Sequence, residues 1–283
     1  MAAADSLEGQ ATYNFQAAAT SSFGAHALLA VVSVVQFVVN AFVKPPMATS
    51  SFTFGKLWTL SFAISLLVIS YIMQATSRSV YQYICAQIFY SAGTQGVYIV
   101  QQVFIAETTG LLDRALASQF PLSVWLVTIA AGTPLAQLFL PRWRLGYAIW
   151  TVIVPVASLP FLLCLFVHDR KEARQGLGKP SYWKGKSIFQ GLKLLWYDLD
   201  LFGIFMLAIT LILLFIPISL AEQRGWDDTM IIAMLVSAAV CLIGLVFWEG
   251  STRFAPKAFF VRESLKSRTM MTGFAMGLIY TSE

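Results

Sequence analysis

Amides and hydroxyls recur at helical spacing along residues 80–106, a stretch that carries no charge before Glu107. On a helical wheel that advances about 100° per residue, they fall within roughly 120° of one another. The set is Gln87, Ser91, Thr94, Gln95, Tyr98, Gln101 and Gln102. Such groups are costly against hydrocarbon, so they must face a bundle interior or a watered cavity. Interhelical hydrogen bonds could justify one or two of them. The full set predicts the lining of a pathway for a polar, bulky solute.

Charged residues near this stretch are candidates for proton coupling or gating. Asp5 and Glu8 precede the first apolar run, where carboxylates would stand near an external cavity mouth. Glu107 closes the stretch close to Arg114. We leave open whether Glu107 forms an interfacial ion pair with a base or acts as a gate.

The motifs of enzyme chemistry are missing from the sequence. It contains no phosphate-cradling glycine loop, no HExxH and no GxSxG. Cys85, Cys164 and Cys241 lie inside apolar runs without metal-ligand spacing. We therefore predict no covalent catalysis, no cofactor and no metal site.

Composition identifies the medium in which these side chains must work. The chain is 58% hydrophobic and 12% charged, with a mean hydropathy of +0.70. Soluble domains carry about a quarter charged residues, so the sequence predicts an integral membrane protein. The net charge of +5 is explained by loop placement, not by binding to nucleic acid.

Apolar runs predict an all-α fold, a polytopic membrane helix bundle with seven complete spans and partial ends. A span needs roughly 20 mostly apolar residues. The runs lie at about 25–43, 57–77, 80–106, 115–140, 145–167, 199–221 and 229–248. A further run begins near Met270 and stops too early to cross, so the C-terminus reads as truncated.

Lysine and arginine placement predicts the orientation, because cytoplasmic loops collect these residues. With the loop after the first span inside, fifteen of the nineteen fall on the cytoplasmic side. The predicted regions are an extracellular segment at 1–24 that ends a lost helix, a helix group at 25–167, a basic cytoplasmic loop with an amphipathic helix at 168–198, and an incomplete second group at 199–283.

The cytoplasmic connector VKPPMATSSFTFGKL carries the first family likeness. Its Phe54-Gly55-Lys56 resembles the end of the G-x-x-x-D-x-x-G-[RK] signature of the major facilitator superfamily. Lys44, Pro45 and Pro46 resemble one branch, the fungal siderophore-iron transporters. The stretches DSLEGQATYNF, FIAETTGLLDRA and FAPKAFFVRESLKSRT are similar to the same branch in the same order. The likeness runs from the end of that family's first helix to the start of its ninth.

This resemblance implies a major facilitator-like transporter that imports a ferric siderophore, of hydroxamate type, together with a proton. Substrate would bind between two helical halves near the midplane, with alternating access by rocking. Glu107 stands where the family commonly has Asp. Phe52 stands where the signature has its acidic residue, so we expect an impaired or partial transporter that cannot complete a transport cycle alone.

Two other functions stay open from the sequence. A drug:proton antiporter of the same superfamily would share fold and topology, and a seven-helix receptor would share the span count but not its motifs. The predicted location is the plasma membrane or an endosomal or vesicular membrane, with the lipid bilayer as the constant partner.

Overall fold

The computed structural model describes residues 1–22, 28–110, 112–174, 201–250 and 272, and every regular element within them is a helix. The helices are α1 (Ala2–Ser22), α2 (Leu28–Thr53), α3 (Lys56–Ala75), α4 (Val80–Thr108), α5 (Arg114–Phe139), α6 (Trp143–Arg174), α7 (Leu201–Arg224) and α8 (Thr229–Gly250). A 3-10 turn at Leu140–Arg142 joins α5 to α6. The prediction of an all-α bundle is confirmed.

Five stretches of the described helices are long and apolar enough to cross a membrane. They are Val31–Thr53, Lys56–Ala75, Arg114–Gly132, Gln137–Lys171 and Thr229–Trp248. Helix α7 contains a shorter apolar stretch, Phe202–Ile218. The described helix α4 does not reach the same apolarity, because its glutamines and hydroxyls interrupt the apolar residues. Its polar character is therefore a property of the whole helix.

Helix α1 departs from the predicted extracellular segment at 1–24. Residues Ala2–Ser22 form one continuous helix, and Ala11, Phe15 and Ala19 on it are buried in the main core. The Phe15 ring lies edge-on to Tyr147 of α6 with 5.5 Å between centroids. The sequence indicated only the end of a helix here, because α1 is too polar to read as a span, whereas alanines and packing against neighbouring helices keep the segment helical to Ser22.

The connector between α2 and α3 is also shorter than predicted. Helix α2 continues through Pro45 and Pro46 to Thr53, so only Phe54 and Gly55 connect it to α3. The buried side chains of Val43 and Met47 pack against α4. This packing keeps the last turns of α2 helical despite the two prolines. Proline removes a backbone hydrogen bond, and contacts with neighbouring helices in a bundle can compensate for that loss.

Close contact between α3 and α4 organises the first helix group. A Cβ on Gly96 would lie 2.7 Å from the Cβ of Ala63, and a Cβ on Gly93 would lie 2.7 Å from Leu67 Cγ. Both distances are too short for a side chain, so glycine is what lets the two backbones approach. The face of α4 that carries these glycines therefore packs closely against Ala63 and Leu67 of α3 and Met47 of α2.

The later helices form a second contact region. Helix α7 packs on α8. The ring centroids of Phe202 on α7 and Trp248 on α8 are 4.2 Å apart. It also reaches the first group through Phe215, whose ring meets Phe37 of α2 edge-on at 5.1 Å. Helix α6 extends beyond the predicted span to Arg174. The predicted amphipathic helix and most of the final apolar run lie outside the described residues.

Candidate functional site

Helix α4 begins at a conventional cap and presents its polar residues along one side. Ser79 has extended backbone angles, and its side chain accepts a hydrogen bond from the Gln82 backbone N–H. From there the helix runs without interruption to Thr108. We use the name polar face for the side that carries Gln87, Ser91, Thr94, Gln95, Tyr98, Gln101 and Gln102.

The polar face lies between α1 and α2. On one side, Gln101 Nε2 donates to Asp5 Oδ2 of α1 at 3.1 Å. On the other, Gln36 Nε2 of α2 donates to Gln87 Oε1 at 2.8 Å. Tyr98, near the middle of the face, is 50% exposed. The face is therefore flanked by two helices and left open between them.

The members of the polar face differ in burial and in partners. Gln87 and Ser91 are buried, whereas Thr94, Gln95, Gln101 and Gln102 are partly exposed. Thr94 Oγ1 donates to the backbone carbonyls of Tyr90 and Ser91, both at 3.1 Å. The Oε1 atom of Gln95 is buried without a hydrogen-bond partner. The predicted set thus combines groups fixed by interhelical bonds with groups that remain available.

Glu8 occupies a buried position where α1 meets α3 and α4. Its residue surface is 3% exposed. Thr12 donates to Oε1, and the Tyr90 hydroxyl of α4 donates to Oε2 at 3.1 Å. The Tyr71 hydroxyl of α3 is also within hydrogen-bonding reach of this carboxyl group. Among the described residues, no lysine, arginine or histidine lies within ion-pair distance of Glu8.

Asp5 lies one turn before Glu8 on α1, so the two carboxyl groups share a helix side. Its partner Gln101 belongs to the half of α4 that ends at Glu107. Glu8 meets α4 farther from that end, at Tyr90. The two acids, expected near an external cavity mouth, therefore lie alongside the length of α4.

The end of α4 carries an ion pair that differs from the expected one. Lys56 Nζ, at the start of α3, donates to Glu107 Oε2. The Lys56 side chain is 8% exposed and that of Glu107 is 36% exposed. Arg114, the expected neighbour, donates instead to the Ala106 backbone carbonyl at 2.6 Å. A base of the predicted connector thus holds the end of α4.

The remaining connector residues differ in conformation and exposure. Gly55 has φ +97° and ψ 154°, a region that is essentially restricted to glycine. Lys44 is exposed, and Pro45 and Pro46 are partly buried within α2. Phe52, which stands in place of the signature's acid, is 55% exposed.

Several participating residues were not identified from the sequence. Tyr90 and Tyr71 hold Glu8, and Gln36 holds Gln87. A buried pair of hydroxyls, Tyr83 and Tyr147, joins α4 to α6 at 2.9 Å. Tyr90 lies just outside the arc chosen on the wheel, so a wider arc would have included it. The other contacts depend on which helices become neighbours, and the wheel carries no such information.

The described residues show no cluster with metal-ligand geometry. None of their histidines, cysteines, aspartates and glutamates group in threes as a metal ion would require. Cys85 and Cys164 are exposed and Cys241 is partly exposed, all as free thiols.

Comparison with known proteins identifies the family. The model of the Major Facilitator Superfamily matches residues 6–282, which is nearly the whole chain. The chain belongs to the Major Facilitator Superfamily. A major facilitator protein with these apolar helices is an integral, multi-pass membrane protein, and membership excludes the seven-helix receptor.

Fungal relatives of this major facilitator chain are named as iron transporters. It is 42% identical over 279 residues to MFS siderochrome iron transporter C of Aspergillus fumigatus, covering 97% of this chain and 46% of the relative. It is 41% identical over 284 residues to Siderophore iron transporter mirC of Emericella nidulans, covering 99% and 47%. Siderophore iron transporter 2 of Schizosaccharomyces pombe is 35% identical over 278 residues, covering 95% and 46%. The chain thus spans about half the length of the relatives it matches.

Proposed function

We propose that this chain forms the substrate- and proton-binding part of a major facilitator importer of ferric siderophores, and that it catalyses no covalent reaction. The observation that carries the proposal is the pairing of the neutral polar face of α4 with a buried acid, Glu8, on the adjoining helix. Relatives that share about two fifths of the aligned residues are named for siderophore iron transport. The names of these relatives are the basis for proposing a ferric siderophore as the substrate.

The chemistry of the polar face suits a hydroxamate siderophore. Such a ligand surrounds its iron with oxygens and presents carbonyls and amides on its outside. Amides and hydroxyls such as those of Gln95, Tyr98 and Gln102 can donate to and accept from that surface without the desolvation cost of a buried charge. Because Tyr98 is half exposed, the face is open to a bulky solute.

Proton coupling is assigned to the carboxyl groups of α1. A buried carboxylate without a cationic partner is costly to keep charged, so Glu8 is a place where a proton can be held during transport. Asp5 lies on the same side of α1 as Glu8. It accepts a hydrogen bond from Gln101 of the polar face. Glu107 and Arg114, by contrast, have partners at the end of α4 that suit a gate.

Alternating access then requires the polar face to open in turn to each side of the membrane. In transporters of this kind the two helical halves rock around a central site. Phe37 and Phe215 contribute to the contact between α2 and α7 in this chain. A rocking movement of the two halves would therefore change the packing at this contact. Whether the membrane is the plasma membrane or a vesicular one does not alter the proposal.

Binding by the chain in lipid nanodiscs tests the proposed function. We expect a ferric trihydroxamate to bind to the wild-type chain, and we expect Tyr98→Phe to weaken binding about 2- to 10-fold through loss of one hydrogen bond. Tyr81→Phe is the matched control, because Tyr81 is exposed on α4 away from the polar face. Absence of binding, or equal weakening by both variants, would contradict the proposal. Preferential binding of a fluorescent cationic drug would favour the antiporter instead.

A further inference from the structure

Glu8 has no direct access to water. Its surface is 3% exposed, its carboxylate oxygens accept hydrogen bonds from Thr12 and Tyr90, and the Tyr71 hydroxyl is a further neighbour. A proton that binds to or leaves this carboxylate must therefore pass through one of those three hydroxyls, or through a rearrangement of the helices that carry them.

The three hydroxyl residues differ in their own exposure. Thr12 is 3% exposed and Tyr71 is 1% exposed, so neither reaches the surface. Tyr90 is partly exposed. Its position on α4 borders the polar face, because Tyr90 precedes Ser91 and its backbone carbonyl accepts the Thr94 hydroxyl at 3.1 Å. Of these three residues, Tyr90 is therefore the one that combines a contact with Glu8 and partial exposure beside the polar face.

We propose that Tyr90 is the proton relay between the polar face and Glu8. We further propose that a solute bound on the polar face blocks proton transfer through this relay. The inference rests on the proposed function for the identity of that solute, but the relay itself does not depend on it. Tyr90 would then couple occupancy of the substrate site to proton exchange at a carboxyl group that the substrate never touches.

The transfer conserves protons and charge. The Tyr90 hydroxyl donates its proton to a Glu8 carboxylate oxygen, and the Tyr90 oxygen accepts a proton from a hydronium ion on the polar face. The hydronium becomes water, Glu8 becomes a neutral carboxylic acid, and the tyrosine is neutral before and after. The reverse sequence releases the proton to the same face.

Among the other titratable groups near Glu8, Asp5 contacts the polar face through Gln101, but no hydrogen bond between described residues joins it to Glu8. Asp5 lies on the same helix, and Tyr71 of α3 and Tyr147 of α6 are its neighbours from other elements. Tyr71 and Tyr147 are both buried. The Ser6 hydroxyl of α1 is hydrogen-bonded to Thr128 of α5, so α5 supplies a hydroxyl contact there and no charge.

Tyr71 provides a matched control for Tyr90. Both side chains contact the same carboxyl group, and their rings meet edge-on with 6.1 Å between centroids. Removal of either hydroxyl takes a polar neighbour from Glu8. Only removal of the Tyr90 hydroxyl interrupts the proposed connection to the polar face, so a structural role predicts equal effects and a relay predicts unequal ones.

The test follows the infrared carbonyl band of protonated Glu8 after a rapid pH change, using the full chain in nanodiscs. The band is identified by its loss in Glu8→Gln. We expect Tyr90→Phe to slow the change in band intensity about tenfold or more, as loss of a proton-transfer group does, and Tyr71→Phe to leave the rate within about twofold. Equal rates in the two variants would overturn the relay.

A second measurement on the wild-type chain needs no variant. A saturating ferric trihydroxamate should slow the same change in band intensity. An unchanged rate with ligand demonstrably bound would overturn the proposal that the bound solute blocks the relay. If the trihydroxamate does not bind, the proposed function fails, and the comparison of Tyr90→Phe with Tyr71→Phe still decides the relay. If Tyr90→Phe does not fold, the ligand measurement decides in its place.

Discussion

Two glutamates of this chain sit in different electrostatic surroundings. Glu8 is buried among hydroxyls with no base nearby in the described part of the chain, whereas Glu107 is about a third exposed and paired with the buried Lys56. The first arrangement tolerates a change of protonation, because hydroxyls can donate to a carboxylate or accept from a carboxylic acid. The second fixes a charge. This contrast assigns coupling to Glu8 and a holding role to Glu107.

The variant Glu107→Gln should destabilise the chain because it leaves Lys56 buried without a counter-charge. The cost of an orphaned buried charge is about 3–5 kcal/mol, and the partial exposure of Glu107 lowers our expectation to about 1–3 kcal/mol. Denaturant unfolding in nanodiscs measures it. Arg114→Gln is the control, since the Arg114 side chain donates to the backbone carbonyl of Ala106 and not to Glu107.

The double variant Lys56→Met/Glu107→Gln checks the cause. If the unpaired charge is responsible, removing Lys56 as well should recover much of the lost stability. A double variant as unstable as Glu107→Gln alone would show that the loss arises from packing and not from the charge of Lys56.

At the scale of helices, backbone approach and backbone conformation carry much of the specificity. Gly96 lets α3 and α4 come together, and Gly55 lets the chain reverse between α2 and α3 within two residues. These two glycines therefore position the polar face against α2 and place Lys56 beside Glu107. Substitutions at the two glycines should destabilise the chain for different reasons. A side chain at Gly96 would lack space, whereas a side chain at Gly55 would strain the backbone at its positive φ.

The variant Gly96→Val should push α3 away from α4. A Cβ at this position would lie 2.7 Å from Ala63 Cβ and 3.3 Å from Met47, and overpacking of this kind costs about 1–3 kcal/mol. Thermal unfolding compares it with Gly9→Ala in α1, where a Cβ meets nothing within 4 Å. Gly9→Ala should be neutral or stabilising by up to about 1 kcal/mol. Equal destabilisation by the two variants would contradict the close packing.

The variant Gly55→Ala should cost about 1–3 kcal/mol through backbone strain alone, because a Cβ there would enter open space. Gly110→Ala is the control, since its added Cβ also meets nothing and its backbone shows no glycine-specific φ. The free energy of unfolding of the two variants gives the comparison. A Gly55→Ala chain as stable as wild type would show that the turn can relax.

Periodicity predicted the helices α2 to α8 and the polar face, because hydrophobic runs and a 3.6-residue repeat are local properties. It indicated only the end of a helix in α1 and missed its length and burial, which depend on contacts such as Phe15 on Tyr147. It also placed a loop over Pro45 and Pro46, where packing of Met47 keeps the helix intact. Glu8 was a candidate from the sequence, but its neighbours Tyr71 and Tyr90 could not be found there, because they come from separate helices.

At the scale of the whole molecule, the described helices form one group around α4 and a second pair, α7 and α8, that meets it at Phe37 and Phe215. The polar face and Glu8 both belong to the first group. A solute on the face and a proton on Glu8 can therefore influence one another through Tyr90 and Asp5 without any contact from the second pair.

Proton exchange on ligand binding measures this central claim most directly. The chain in nanodiscs is mixed with a ferric trihydroxamate in weak buffer, and the protons taken up or released are counted with a pH indicator. We predict a measurable exchange for wild type and for Glu107→Gln, and none for Glu8→Gln with binding retained. An exchange that persists unchanged in Glu8→Gln would contradict the account.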